Sequence, residues 1–192
     1  RTQPHIAQLF ALPRALSAEG VKRYGFHGLS YEYIARVLPE HSDKASDRVI
    51  VAHLGNGASM CAMVNRRSQA TSMGFTAIDG LVMGTRSGAL DPGVILYLLE
   101  NKGLGVKQLT SLLYKESGLL GVSGLSQDMR TLLASSDAAA AEAVELFCYR
   151  AVTQIGSLAA AIGGIDALVF TGGIGEHAAE IRRRIVDGCR WL

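Results

Sequence analysis

The chain has 192 residues, 48% of them hydrophobic and 19% charged, with a formal net charge of +2. That composition can bury a sizeable core and excludes a disordered chain, and the length suits one domain or one lobe of a larger protein. The small net charge argues against nucleic acid and against a polybasic membrane surface as partners, and no apolar run approaches the length of a membrane span.

In chain order, residues 1–12 read as a weak helix or lead-in stopped near Pro13. After Gly28, Ser30 is placed to cap a helix that runs to about Val37 and ends before Pro39. Residues 48–54 (RVIVAHL) form a β-branched strand that breaks at Gly55-Asn56-Gly57, and residues 58–64 (ASMCAMV) are its return. Asn56-Gly57 between two apolar runs is a tight-turn signal for a hairpin. Asn65-Arg66-Arg67 turns into a third strand around 68–72. Helices are expected near 92–101, 106–114 and 128–134, and a long one over about 137–162. Residues 167–170 form a short apolar strand with 171–175 as its exit loop. A final helix is expected over 177–189, with Ala178, Ile181, Ile185 and Val186 at helical spacing. Hairpin strands followed by alternating helix and strand indicate a mixed α/β fold.

The three cysteines (Cys61, Cys148, Cys189) lack metal-ligand spacing and read as reduced thiols of a cytoplasmic protein. Arg182-Arg183-Arg184, the densest basic group, reads as a solvated helix face. His5, His41, Asp43 and Asp47 form no constellation. The opening at Arg1 and a helical pattern that stops at Trp191-Leu192 give the expectation that both ends are cut.

Four glycine loops carry the chemistry. Each contains a polar or charged residue beside glycines whose amides can approach an anion closely. In Thr171-Gly172-Gly173-Ile174-Gly175-Glu176, a buried strand feeds a helix through glycines, which is where a nucleotide can lie, or an ordinary tight turn. Its spacing is not the dinucleotide fingerprint, and the chain has no G-x-x-x-x-G-K-[ST] loop. In His53-Leu54-Gly55-Asn56-Gly57, the histidine either donates to a phosphate oxygen or is a core histidine satisfied by a backbone carbonyl. In Gly84-Thr85-Arg86-Ser87-Gly88, the arginine suits charge stabilisation in phosphoryl transfer. The alternative is a salt bridge to Asp91 or Asp79 that orders the loop, and so glycine-rich a loop favours the first. In Phe26-His27-Gly28, the histidine donates to a phosphoryl group, holds a carboxylate, or is a helix-capping or core histidine. Asp128-Met129-Arg130 lies at a helix start, where Asp complements the dipole.

In this order, the stretches Arg23-Tyr24-Gly25-Phe26-His27-Gly28, His53-Leu54-Gly55-Asn56-Gly57, Met83-Gly84-Thr85-Arg86-Ser87-Gly88 with Asp91-Pro92-Gly93, Ser126-Gln127-Asp128-Met129-Arg130 and Thr171-Gly172-Gly173-Ile174-Gly175-Glu176 resemble the acetate and propionate kinase family. The resemblance implies an RNase-H-like lobe of the sugar-kinase, actin and Hsp70 type, a mixed sheet with hairpin strands and flanking helices. It implies that residues 1–192 are a single C-terminal nucleotide-binding lobe whose N-terminal companion lies outside the chain. It further implies the reaction ATP + acetate ⇌ ADP + acetyl phosphate with Mg²⁺ or Mn²⁺, usually in a homodimer.

By position, His27 and Arg86 match the family's transition-state stabilisers. His53, Leu54, Gly55, Asn56 and Gly57 match its phosphate-binding hairpin. Asp128, Met129 and Arg130, with Gly173, Ile174, Gly175, Glu176 and His177, match the adenosine pocket. Phe26 and Ala77 match the walls of the pocket for the acetate methyl. The chain departs from many members at Leu29 and Tyr31, where Thr and His are common, at His177, where some have Asn, and at Ala77, where some have Pro. The resemblance places no metal ligand in this chain. The Asn-containing phosphate loop, the carboxylate-binding Arg and an Asp belong upstream of Arg1, and a metal-holding Glu beyond Leu192. The alternatives are a propionate or butyrate kinase with the same machinery, or an actin-like nucleotide-binding module without catalysis.

Overall fold

A computed structural model describes residues 2–192. One four-stranded sheet has the order β3-β2-β1-β4. β1 (Val49–Leu54), β2 (Ala58–Val64) and β3 (Arg67–Thr71) form an antiparallel meander, and β4 (Ala167–Thr171) adds parallel to β1. The helices are α1 (His5–Gln8), α2 (Arg14–Ala18), α3 (Gly28–Val37), α4 (Pro92–Glu100), α5 (Val106–Lys115), α6 (Gly118–Ser123), α7 (Met129–Ala134), α8 (Ala138–Ile162), α9 (Gly172–His177) and α10 (Ala179–Gly188). This mixed sheet with flanking helices is the expected RNase-H-like type of lobe.

Strand alternation sorts the sheet's two faces. Ile50, Ala52 and Leu54 of β1, with Ala58, Met60 and Ala62 of β2, point into the main core under α8. Val49, Val51, Cys61 and Met63 point the other way, against Tyr31, Ile34 and Ala35 of α3. α8 begins where the Asp137 carboxylate accepts the Ala139 N–H at 2.8 Å and ends at Gly163, whose φ of 75° closes the helix. Its buried stripe runs through Ala140, Ala143, Val144, Phe147, Ala151, Ile155, Leu158 and Ala159, the i, i+3, i+4 spacing of one helix face.

Several expected boundaries are corrected. The weak helix expected over 1–12 is the short α1, which ends at Gln8, and Pro13 then takes the N-cap position of α2. Ser30 does not cap α3; His27 occupies the N-cap position with φ 58°, which frees the Ser30 hydroxyl for another partner. The 171–175 exit loop is itself the short helix α9, and the final helix starts only at Ala179 after a break at Ala178. α6 had no counterpart among the expected elements. Asn56-Gly57 joins a hairpin, but neither residue takes a positive φ; Asn65 and Arg66 do, at 51° and 59°. The left-handed two-residue turn therefore lies between β2 and β3.

Phe147 is 2% exposed at the centre of the main core. Phe147→Ala should destabilise the fold by about 3–5 kcal/mol, read as a lower denaturant midpoint with an unchanged slope.

Candidate functional site

Register builds one wall of the site. β1 pairs His53 with Ser59 of β2 and with Thr171 of β4. His53 and Ser59 thus emerge side by side on the face covered by α3. There the Ser30 hydroxyl lies 2.9 Å from His53 Nδ1, and the Ser59 hydroxyl lies 2.7 Å from His27 Nδ1. Tyr31, one turn after His27, makes a short hydrogen bond to the same Ser59 oxygen. The two imidazoles stack with centroids 4.2 Å apart and planes 23° from parallel. His53 is therefore not satisfied by a backbone carbonyl, and the His27 side chain does not cap its helix.

This arrangement disfavours the charged form of both rings. Burial lowers the His27 pKa to about 4, helped by the neighbouring His53 and Arg86. Burial also lowers His53, and Glu176 opposes that shift. Removing water from an imidazolium costs free energy that these hydroxyl partners do not return.

Arg86 reaches the same place from the opposite side. Its loop is pinned from α6, where the Leu119 N–H donates to the Met83 carbonyl at 2.8 Å and the Leu120 N–H to the Gly84 carbonyl at 3.0 Å. Arg86 Nη1 donates to the Ala77 carbonyl at 3.0 Å. Neither expected salt bridge forms. Asp79 pairs with Arg23 at 3.1 Å, and Asp91 caps α4 through the Gly93 N–H. Among the described residues Arg86 is in no ion pair. A Cβ on Gly57 would sit 3.3 Å from His27 Nε2 and 3.7 Å from Arg86 Nη1. The glycine lets both donors close over one stretch of backbone. Phe26 and Ala77 are partly buried and pack against the main core beside this point.

A cavity of about 620 Å³ opens on the other side of the hairpin. Gly55 and Asn56 form one wall, Gly173, Ile174 and His177 a second, and Asp128, Met129 and Arg130 a third. Gln127, Leu133 and Ala178 complete it. The two glycine loops meet closely, since a Cβ on Gly55 would lie 4.0 Å from the Gly173 nitrogen and 3.9 Å from His53 Nε2. Gly172 has φ +80°, and any side chain there would strike the Leu54 carbonyl. Asp128 caps α7 by accepting the Arg130 N–H at 2.8 Å and pairs with the Arg130 guanidinium at 2.6 Å. Those hydrogen bonds hold its carboxyl at about 2.

Some expected residues stand back from the cavity. The Leu54 side chain is fully buried in the core. Glu176 turns onto its own loop, accepting from the Gly172 N–H and the Thr171 hydroxyl at 3.2 Å each. Gly175 is buried behind that loop. Three contributors were missed from the sequence. Ser30 and Ser59 orient the histidines, and Ser59 was legible only through the hairpin register. Arg182 is not merely a solvated face, because its Nη1 donates to the Gly175 and Glu176 carbonyls at 2.9 and 2.7 Å. The corresponding cysteine reading stands in part: Cys61 and Cys148 are buried free thiols, and Cys189 is a half-buried one.

Lowered histidine pKa values carry a sign. As pH falls below the ordinary histidine value, the unfolded chain takes up protons that folded His27 refuses until about 4. Stability from this source is complete above pH 6.5 and is lost as pH falls through that window. Replacing His27 with Gln should therefore make the denaturation midpoint less sensitive between about pH 7 and about pH 5; an undiminished dependence would place the shift elsewhere.

The sequence matches the Acetokinase family over residues 1–192. An acetate kinase of Rhodopseudomonas palustris is 65% identical over 191 residues, covering 98% of this chain and 48% of that protein. A Porphyromonas gingivalis acetate kinase structure superposes with a TM-score of 0.90 at 41% identity, covering 96% of this chain and 48% of the other. A Francisella tularensis propionate kinase superposes with a TM-score of 0.90 at 42% identity, over 97% of this chain and 50% of the other. The chain spans about half the length of the curated relatives it matches. Matched over its whole length in sequence and fold, with two of its glycine loops walling one cavity and the other two meeting over Gly57, the chain belongs to the acetokinase family.

Proposed function

We propose that residues 1–192 are the C-terminal, nucleotide-binding lobe of an enzyme that transfers the terminal phosphoryl group of ATP to acetate, reversibly giving ADP and acetyl phosphate. The observation that carries this reading is the convergence of His27 Nε2 and Arg86 Nη1 over Gly57, on the same hairpin whose Gly55 and Asn56 wall the cavity. A cation without a carboxylate partner beside a neutral N–H donor suits an anion whose charge spreads during transfer. A module that merely holds nucleotide has little use for both.

In this reading the adenosine lies in the cavity against residues 128–130 and 173–177. The amides of residues 55–57 and the ring of His53 hold phosphate oxygens. A carboxylate oxygen of acetate attacks the terminal phosphorus in line, and the bond to the ADP oxygen breaks. Arg86 and His27 donate to the equatorial oxygens, a charge-stabilising role that needs positioning rather than covalent chemistry. The Ala77 carbonyl aims the guanidinium, and Phe26 and Ala77 wall the space for the methyl group.

The family's chemistry implies Mg²⁺ or Mn²⁺. Among the described residues no group of three His, Cys, Asp or Glu side chains could hold a metal, so no step here is routed through one. The segments beyond Arg1 and Leu192 that the family supplies would complete that part of the site, and the lobe by itself is expected to bind nucleotide without turnover.

A homodimer is supported by α4, whose Val94, Leu96 and Tyr97 stand 38%, 55% and 49% exposed. A cytoplasmic setting fits the three free thiols. No helix among the described residues is long and apolar enough to cross a membrane. Ala77, where a bulkier ring occurs in some relatives, is the feature that favours propionate as a second acyl acceptor. One methylene in such a pocket is worth ~1–3 kcal/mol, and the ratio of kcat/KM for acetate and propionate decides between them.

In an enzyme of full family length carrying this chain, acetate, ATP and Mg²⁺ should yield acetyl phosphate. Arg86→Ala should lower kcat by about 10²–10³ while changing the KM for ATP far less. An unchanged kcat would refute the role given to Arg86, and no acetyl phosphate from the parent would favour the non-catalytic module.

A further inference from the structure

Ser59 is the middle of a three-membered chain. Its hydroxyl contacts His27 Nδ1 on one side and the Tyr31 hydroxyl on the other. Ser59 is 0% exposed and Tyr31 7%. Neither hydroxyl has another hydrogen-bond partner among the described residues. The hydrogens can therefore be counted. If Tyr31 donates to Ser59 and Ser59 donates to Nδ1, every buried hydrogen is used. If Nδ1–H instead donates to Ser59, then either the serine or the tyrosine hydrogen is left buried with no acceptor. Such an orphan carries the full desolvation penalty of its group.

We infer that Tyr31 and Ser59 form a one-way donor chain that locks His27 as the neutral Nε2–H tautomer, so that an N–H rather than a lone pair faces the backbone shared with Arg86. The inference rests on the reading of that face as the phosphoryl site. There a lone pair would repel phosphate oxygens, whereas an N–H stabilises them. Tyr31 and Ser59 are positioning residues, acting through His27.

The same count disfavours the imidazolium, which must carry an Nδ1–H and so strands a buried hydrogen. Burial and the facing groups act in the same direction. His53 stacks from β1 and Arg86 approaches from its loop. On α3 the neighbour is the Tyr31 phenol, which burial holds protonated as a donor, and Cys61 of β2 lies beyond it. Glu176 of α9 acts on His53. Tyr31 matters because its oxygen can accept from Ser59 only by stranding its own buried hydrogen. A histidine at this position, with its ring lone pair, could accept from Ser59 and let the chain run backwards.

The test is histidine ¹⁵N NMR on the full-length protein, with His27 assigned by the signal lost in His27→Gln. The parent should show Nε2–H in excess, on the order of tenfold, near neutral pH. Tyr31→Phe removes a donor and adds no acceptor, so the excess should persist. Tyr31→His should relax it towards a mixture and let His27 take up a proton nearer the ordinary histidine pH. An Nδ1–H or mixed parent overturns the lock, as does a Tyr31→Phe protein that relaxes as far as Tyr31→His. If Tyr31→His does not fold, the parent and Tyr31→Phe spectra still decide. These spectra need no turnover, so a parent that makes no acetyl phosphate defeats the phosphoryl reading while the tautomer result stands on its own.

Discussion

Pairing on both edges of β1 is the constraint from which the rest of the site follows. β2 on one side and β4 on the other fix its register, so that Ser59, His53 and Thr171 lie in one row across the sheet. Because strand side chains alternate, a slip by one residue would send His53 into the α8 core and bring an apolar neighbour to the α3 face. The same pairing ends β1 and β4 at the same level, which brings the Gly55-Asn56-Gly57 hairpin against the start of α9. The cavity lies between these two glycine loops, and α3, which covers the face on which His53 and Ser59 emerge, brings His27 to them.

Two kinds of donor meet on that frame, and their electrostatics differ. Burial disfavours the charged form of both histidines, and serine hydroxyls engage their Nδ1 atoms, leaving Nε2 as the outward atom. Arg86 has no carboxylate partner among the described residues, because Asp79 and Asp91 are occupied by Arg23 and by the α4 cap. Arg86 thus meets two imidazoles whose charged forms are disfavoured, a face without the self-repulsion of three clustered charges. Its closeness depends on Gly57, where the absence of a side chain admits both Arg86 and His27. Backbone bonds from α6 hold the Arg86 loop, and Arg182 separately ties the Gly175 and Glu176 carbonyls of α9 to α10.

Much of the fold was legible because hydrophobic pattern dominates it. The β-branched run before Gly55 and the apolar stripe of α8 identify themselves, and Asp137 and Gly163 mark the ends of that helix within a residue of where it begins and stops. What was not legible depends on partners distant in sequence. Asn56-Gly57 carries a turn signal, yet its geometry answers to Arg86 and His27 rather than to a left-handed turn, which Asn65-Arg66 takes instead. Ser30 resembles a helix cap until His53, 23 residues away, claims its hydroxyl. Ser59 is an unremarkable strand serine until the register sets it beside His53. The four loops were visible as separate glycine signals, and only the fold brings the hairpin and the 172–177 segment to one cavity and His27 and Arg86 to Gly57.

The central claim is that the hairpin, α7 and α9 form a single nucleotide cleft. Amide hydrogen exchange of the full-length protein with and without ADP tests it most directly. The account predicts slowed exchange together at residues 55–57, at the start of α7 and along residues 173–178, with α4 unchanged. Protection confined to one of these loops, or centred away from all three, would contradict it.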